Sequence, residues 1–226
     1  MITLNITPKS AAIAALIAAV TATPALAQST GFAWSENAGW INFDASNGDS
    51  QGPVYQTTAI TGFAWAENFG WINLGSTATP PPRDMQTGEA FGIGIDDDGY
   101  LFGYAWAENA GWISFGPHPQ VGTIATPLGD ADASPRVRRG RLLGAAWAEN
   151  LGWINLSLDN TLDPERAVQL ICPADTNIDG VANFFDLSLF LTRFNAGSLR
   201  ADWDDNGVLN FFDISGYLAD FVAGCP

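Results

Sequence analysis

The sequence predicts a multidomain chain: an all-β repeat domain of antiparallel hairpins, propeller-like or openly stacked, followed by a small α-helical module. Three observations predict it. A tryptophan-rich block of 13 residues recurs four times before residue 158. Two acidic loops recur after residue 172, each running into a segment with helical spacing. Between them the hydrophobic period changes from two to about 3.6 residues.

Residues 1–27 read as a signal peptide rather than fold. Lys9, the only lysine, precedes the apolar run "AAIAALIAAV", and "ALA" ends at residue 27. That is a charged start, a short apolar stretch and a small-residue cleavage site. The run is shorter than the ~20 apolar residues a membrane helix needs. The expected boundaries are 1–27 signal peptide, 28–160 repeat domain, 161–171 linker and 172–226 helical module, and the expected destination is secretion or the cell surface. Beyond residue 27, eight arginines face 24 acidic residues, a net charge of −16. So negative a chain is a poor ligand for nucleic acid or anionic lipid, both of which need basic surface. Cys172 and Cys225 are the only cysteines, and in an oxidising compartment they are expected to pair.

The four repeats are "GFAWSENAGWINF" (31–43), "GFAWAENFGWINL" (62–74), "GYAWAENAGWISF" (103–115) and "GAAWAENLGWINL" (144–156). Self-similarity at this spacing marks a repeat architecture. Each block reads as strand, tight loop, strand, with a glycine closing the loop where positive φ is needed. Symmetry about Asn37 sets Trp34 opposite Trp40, with Phe32 and Asn42 on the same face. Gly31, Ala33, Ile41 and Phe43 form the other face. Both faces are largely apolar, so the hairpins are expected to be buried between layers. "FGIGIDDDGYLFGYAW" (91–106) adds a strand ahead of the third hairpin.

Glu36, Glu67, Glu108 and Glu149 recur at one loop position. We read Glu-Asn as a loop signature that satisfies backbone groups, and the tryptophan pairs as core. The competing reading makes them sugar-binding or catalytic carboxylates beside aromatic platforms, in a carbohydrate-binding module or glycoside hydrolase. A third makes the repeats a structural surface array. One histidine, His118, and no free thiol leave no Ser-His-Asp or Cys-His machine. The expected protein is not an enzyme.

The acidic loops match the calcium-loop pattern, with ligands at positions 1, 3, 5, 7, 9 and 12 and glycine at 6. In the first these are Asp175, Asn177, Asp179, the Val181 carbonyl, Asn183 and Asp186, with Gly180 at the turn. In the second they are Asp202, Asp204, Asn206, the Val208 carbonyl, Asn210 and Asp213, with Gly207. Two calcium ions are the expected cofactors. Position 12 is Asp rather than Glu, and no convincing helix enters either loop.

A duplicated loop with only an exit helix, Asp at position 12, flanking Cys-Pro pairs and "NFFD" resembles the dockerin family over residues 172–226. The resemblance implies an EF-hand-like module that docks on a cohesin-type domain, often in polysaccharide degradation or surface assembly. It places partner contacts near loop positions 10 and 11. A helical stripe centred on Leu187, Leu191 and Phe194 sets Phe184 and Phe211 inward as core anchors. It sets Phe185, Leu189, Thr192, Phe212, Ser215 and Ala219 on the partner face.

Overall fold

The computed structural model describes residues 30–44, 52–75, 91–116, 134–157 and 168–225. The expected signal peptide, His118, residues 161–167 of the expected linker and most of the Pro/Gly-rich inter-repeat segments lie outside the described residues.

Each repeat forms the hairpin its symmetry predicts. The pairs are β1 (Phe32–Ser35) with β2 (Gly39–Asn42), β4 (Ala59–Ala66) with β5 (Gly70–Gly75), β7 (Leu101–Ala107) with β8 (Gly111–Ser114), and β11 (Ala145–Ala148) with β12 (Gly152–Asn155). Trp34 pairs with Trp40 and Ala33 with Ile41, and the other copies keep this register. Gly39 closes its loop at φ 70°, in the left-handed region that a side chain disfavours. Short strands β3 (Val54–Tyr55) and β6 (Ile93–Ile95) flank β4, and β6 also pairs with β7 as expected for residues 91–106. β9 (Arg136–Arg138) and β10 (Arg141–Leu143) form a separate two-stranded ribbon.

The expected propeller-like or openly stacked repeat domain is corrected by the pairing between hairpins. β2 pairs with β4, β5 with β7, β8 with β11, and β12 returns to β1. One hydrogen-bonded ring of eight antiparallel strands results, a closed barrel. A propeller would need each unit's sheet to end at its neighbour. Here every outer strand carries the same junction: Asn42 faces Trp65, Asn73 faces Trp106, Ser114 faces Trp147, and Asn155 faces Trp34. Closure removes the free edges that an open stack would expose.

The expectation that both hairpin faces are buried is also corrected. Ala33, Ala64, Ala105 and Ala146 lie inside with Ile41, Ile72, Ile113 and Ile154, all at most 3% exposed. An eight-stranded barrel is just wide enough for such side chains, and alternating small and large residues fills it. The tryptophans do not fit inside and line the outer wall, where Trp65 is 43% and Trp71 48% exposed. Each cross-strand pair meets edge to face, with Trp34–Trp40 centroids 4.9 Å apart. The residue after Glu-Asn in each loop turns inward: Ala38, Ala110 and Leu151 are buried and Phe69 packs on the same core.

The C-terminal region is likewise not the separate helical module expected. It contributes two 13-residue helices, α1 (Phe184–Ala196) and α2 (Phe211–Ala223); no helix leads into the first loop, and only a single 3-10 turn, Leu199–Ala201, leads into the second. Their own small core stacks Phe190 on Tyr217 at 4.1 Å, with Trp203 edge-on to both. The Cys172–Cys225 disulfide joins the two ends of this region. It is fastened to the barrel rather than tethered by a linker. Gln169 exchanges backbone hydrogen bonds with Thr30, at 2.8 and 2.9 Å, just ahead of β1. The Arg200 guanidinium donates to the Thr57 and Asp96 carbonyls, both at 2.8 Å. Arg139 forms an ion pair with Asp220 of α2 at 2.9 Å.

Candidate metal centre

Each acidic loop folds around its own carboxylates. In the first, Asp175 accepts from the N–H groups of Asp179 and Gly180, and Asp186 accepts from those of Asn177 and Asn183. Asn177 and Asp179 close turns onto the N–H groups two residues ahead. The second repeats the scheme: Asp202 accepts from Asn206 and Gly207, and Asp213 from Trp203 and Asn210. Sequence alone dictates much of this, because Asx side chains at alternate positions compete for local N–H groups and curl the chain. Position 4 is left-handed in both, at φ 64° for Ile178 and 56° for Asp205, and the glycine at position 6 follows at φ 86° or 79°.

The structure brings Asp175, Asp179 and Asp186 together so that one oxygen of each lies within 4.8 Å of the others. Asp202, Asp204 and Asp213 converge in the same way. Asp175, Asp186, Asp202 and Asp213 are buried. Burial pushes the Asp175 carboxyl above the usual carboxylate range; the Gly180 and Asp179 N–H groups oppose the shift, and the Asp186 charge adds to it. Asp202 is raised for the same reasons, with Asp213 as its like-charged neighbour. Buried carboxylates at this separation repel unless a cation neutralises them. Hard oxygen donors held on a curved loop suit a divalent cation such as calcium.

Asn183 and Asn210, which sequence spacing puts at a ligand position, also start the helices. Each is an N-cap: its side-chain oxygen accepts from the N–H of Phe185 or Phe212 at 2.8 Å. Its amide nitrogen donates to the Val181 or Val208 carbonyl at 2.9 Å. With Asp186 and Asp213 three residues on, each completes a capping box. The Asn-x-x-Asp spacing carried that signal.

The inward assignment of Phe184 and Phe211 is corrected. Phe184, Phe185, Phe211 and Phe212 are 72%, 70%, 73% and 72% exposed. The buried stripes run through Asp186 and Phe190 on α1 and Asp213 and Tyr217 on α2. At ~100° per residue, a stripe centred on Phe190 puts Phe184 about 120° and Phe185 about 140° away. Leu191 and Leu218 are exposed as well, so they do not centre the core. Of the other residues expected on a partner face, Thr192, Ser215 and Ala219 are exposed and Leu189 is half-buried.

Sequence reasoning missed what holds the loops to the barrel. Asp205, at position 4 of the second loop, pairs with Arg136 at 2.5 Å and Arg138 at 3.2 Å. Ile178, the matching residue of the first loop, packs on the barrel core. The first contact spans 69 residues, beyond any local pattern. In the hairpin loops, Glu36, Glu67, Glu108 and Glu149 are exposed. The adjacent asparagines latch neighbouring loops together, Asn37 donating to the Leu151 carbonyl and Asn150 to that of Ala110, both at 3.1 Å.

Among the described residues no helix is long and apolar enough to cross a membrane. No protein-family model, no curated protein and no solved structure matches this chain.

Proposed function

We propose that this is a non-catalytic exported protein whose two acidic loops bind two calcium ions and whose C-terminal helices dock on a cohesin-type partner. The observation that carries the reading is the pair of carboxylate triads, each within 4.8 Å and each with an exposed phenylalanine pair just ahead of its last carboxylate. In the first loop Asp175, Asp179 and Asp186 would hold the ion, with Asn177 and the Val181 carbonyl beside them. In the second, Asp202, Asp204 and Asp213 would do so, with Asn206 and the Val208 carbonyl. The ion supplies positive charge that cancels carboxylate repulsion. The protein's part is to fix the loops: backbone N–H groups orient the carboxylates, and capping boxes start α1 and α2 directly from them. Loop order therefore sets the direction of each exposed Phe-Phe pair.

The docking face is wider than sequence spacing suggested. Phe184, Leu191, Phe211 and Leu218 join Phe185 and Phe212 as exposed apolar side chains. A shallow groove of about 370 Å³ runs along Phe184, Leu187, Leu191 and Thr192. Exposed aromatic anchors of this kind dominate binding energy at protein interfaces.

The test is binding of the full mature chain to a panel of cohesin-type domains, with calcium and with chelator. Calcium-dependent binding that weakens about tenfold or more in Phe185→Ala with Phe212→Ala supports the reading. Absence of binding across the panel, or binding indifferent to the phenylalanines, contradicts the docking half of it.

A further inference from the structure

The outer wall of the barrel carries a second constellation, remote in sequence from the acidic loops. Between the first and second hairpins lies an open groove of about 500 Å³ lined by Phe32, Trp40, Asn42, Trp65 and Glu67. Phe32 is 36% and Trp65 43% exposed. The groove is a product of the repeat. β2 brings Trp40 and Asn42, and the next hairpin brings Trp65, paired with Asn42, and Glu67 from its loop.

The same elements recur at the other seams. Trp71, Asn73, Trp106 and Glu108 stand at the second, and Trp112, Ser114, Trp147 and Glu149 at the third. The fourth has Trp153, Asn155, Trp34 and Glu36, but Ala145 where Phe32 stands in the first. The barrel thus presents aromatic seams repeated around its wall.

We propose that this seam is a binding site for neutral polysaccharide, entered at the groove beside Trp65. The lining has two chemical halves. Indole and phenyl faces carry negative quadrupole charge and suit the polarised C–H faces of pyranose rings. An amide and a carboxylate beside them suit hydroxyl groups, since ionised Glu67 accepts hydrogen bonds and Asn42 both donates and accepts. Wide apolar clefts with a few placed polar groups are the usual form of ligand sites. Charge narrows the ligand class. No basic residue lines the groove, and the chain's net charge is −15, so an anionic glycan is disfavoured.

A quaternary ammonium group also favours rings beside a carboxylate, but it needs faces converging on one point. Here the tryptophans are locked edge to face with their own hairpin partners, Trp65 on Trp71 and Trp34 on Trp40, both with centroids 4.9 Å apart. Their exposed surfaces spread along the wall, which suits an extended chain. Repetition of the seam suits a ligand that itself repeats, because several weak sites on one polymer bind with avidity.

The experiment titrates the full mature chain with neutral hexasaccharides (β-glucan, xylan, mannan and chitin types), reading tryptophan emission and heat. Choline and an acidic hexauronate run beside them, all with and without chelator. At least one neutral hexasaccharide is expected to bind, with or without calcium. Trp65→Ala and the surface variant Glu67→Gln should each weaken that binding several-fold or lower its stoichiometry. The proposal is overturned if no neutral hexasaccharide binds, if choline or the uronate binds instead, or if both variants bind like the parent. Glu67 is exposed, so its variant keeps the test valid if Trp65→Ala fails to fold.

Discussion

The two acidic loops share one hydrogen-bond scheme and the same left-handed positions but have opposite anchors. Position 4 is left-handed in both, yet it is Ile178 in one and Asp205 in the other. Ile178 is an apolar plug on the barrel core; Asp205 is an ionic clasp between two largely buried arginines. The acidic positions are thus kept alike while the attachment is free to differ. An L-residue in the left-handed region costs about 1–2 kcal/mol, and for β-branched Ile178 the cost is tolerated because burial offsets it. Asp tolerates that conformation more readily, and Asp205 also neutralises charge. The second loop is therefore coupled to the barrel through charge, the first through burial.

The largest loss is expected at Asp205. Asp205→Ala leaves Arg136 and Arg138 facing each other without their carboxylate, and removing one partner of a buried pair costs about 3–5 kcal/mol. Chemical denaturation of the full chain should show a loss of that size, little altered by salt because buried pairs are weakly screened. A loss below about 1 kcal/mol would place the clasp among ordinary surface pairs.

A second break uses the helical core that both loops share. Burial first, and the Asp186 charge second, push the Tyr217 phenol up to about 12. Its neutral form favours the fold, so this contribution is complete below an ordinary phenol pKa of about 10. It is lost as pH rises through the folded value. Burial raises the Tyr55 phenol as well, so absorbance at alkaline pH should show two late-titrating tyrosines, one of them lost in Tyr217→Phe, and stability should fall between those two pH values.

Ile178→Ala should cost less than Asp205→Ala, about 1–2 kcal/mol, because the residue is only partly buried and a smaller side chain is lost. Its effect, like that of the buried clasp, should hardly change with salt, so the size of the loss is what separates the two anchors. The smallest effect belongs to Phe184→Ala with Phe211→Ala. Both rings are more than 70% exposed, so thermal stability should move by less than about 0.5 kcal/mol.

Local chemistry was legible in the sequence to the extent that it was local. Hairpin register followed from symmetry about Asn37, and the acidic loops from Asx spacing and glycine. Which hairpin face turns inward was not legible from polarity, because both faces are apolar. Size decides it: alanine and isoleucine fill an eight-stranded barrel, and tryptophan cannot. Closure was equally hidden, since the pairing of β12 with β1 joins residues over a hundred positions apart. The helical stripe was misplaced by one position, choosing Leu191 over Phe190. On a helix flanked by apolar residues on several sides, that shift turned Phe184 from anchor to surface. The Asp205 clasp needs β9, whose place no spacing rule supplies.

Calorimetric titration of calcium into the full chain tests the proposal that each acidic loop binds one ion in the folded, barrel-bound protein. Two ions per chain are expected, falling to one in Asp175→Ala and one in Asp202→Ala, and to none in the double variant. A parent protein that binds no calcium, or a double variant that still binds two ions, would contradict it.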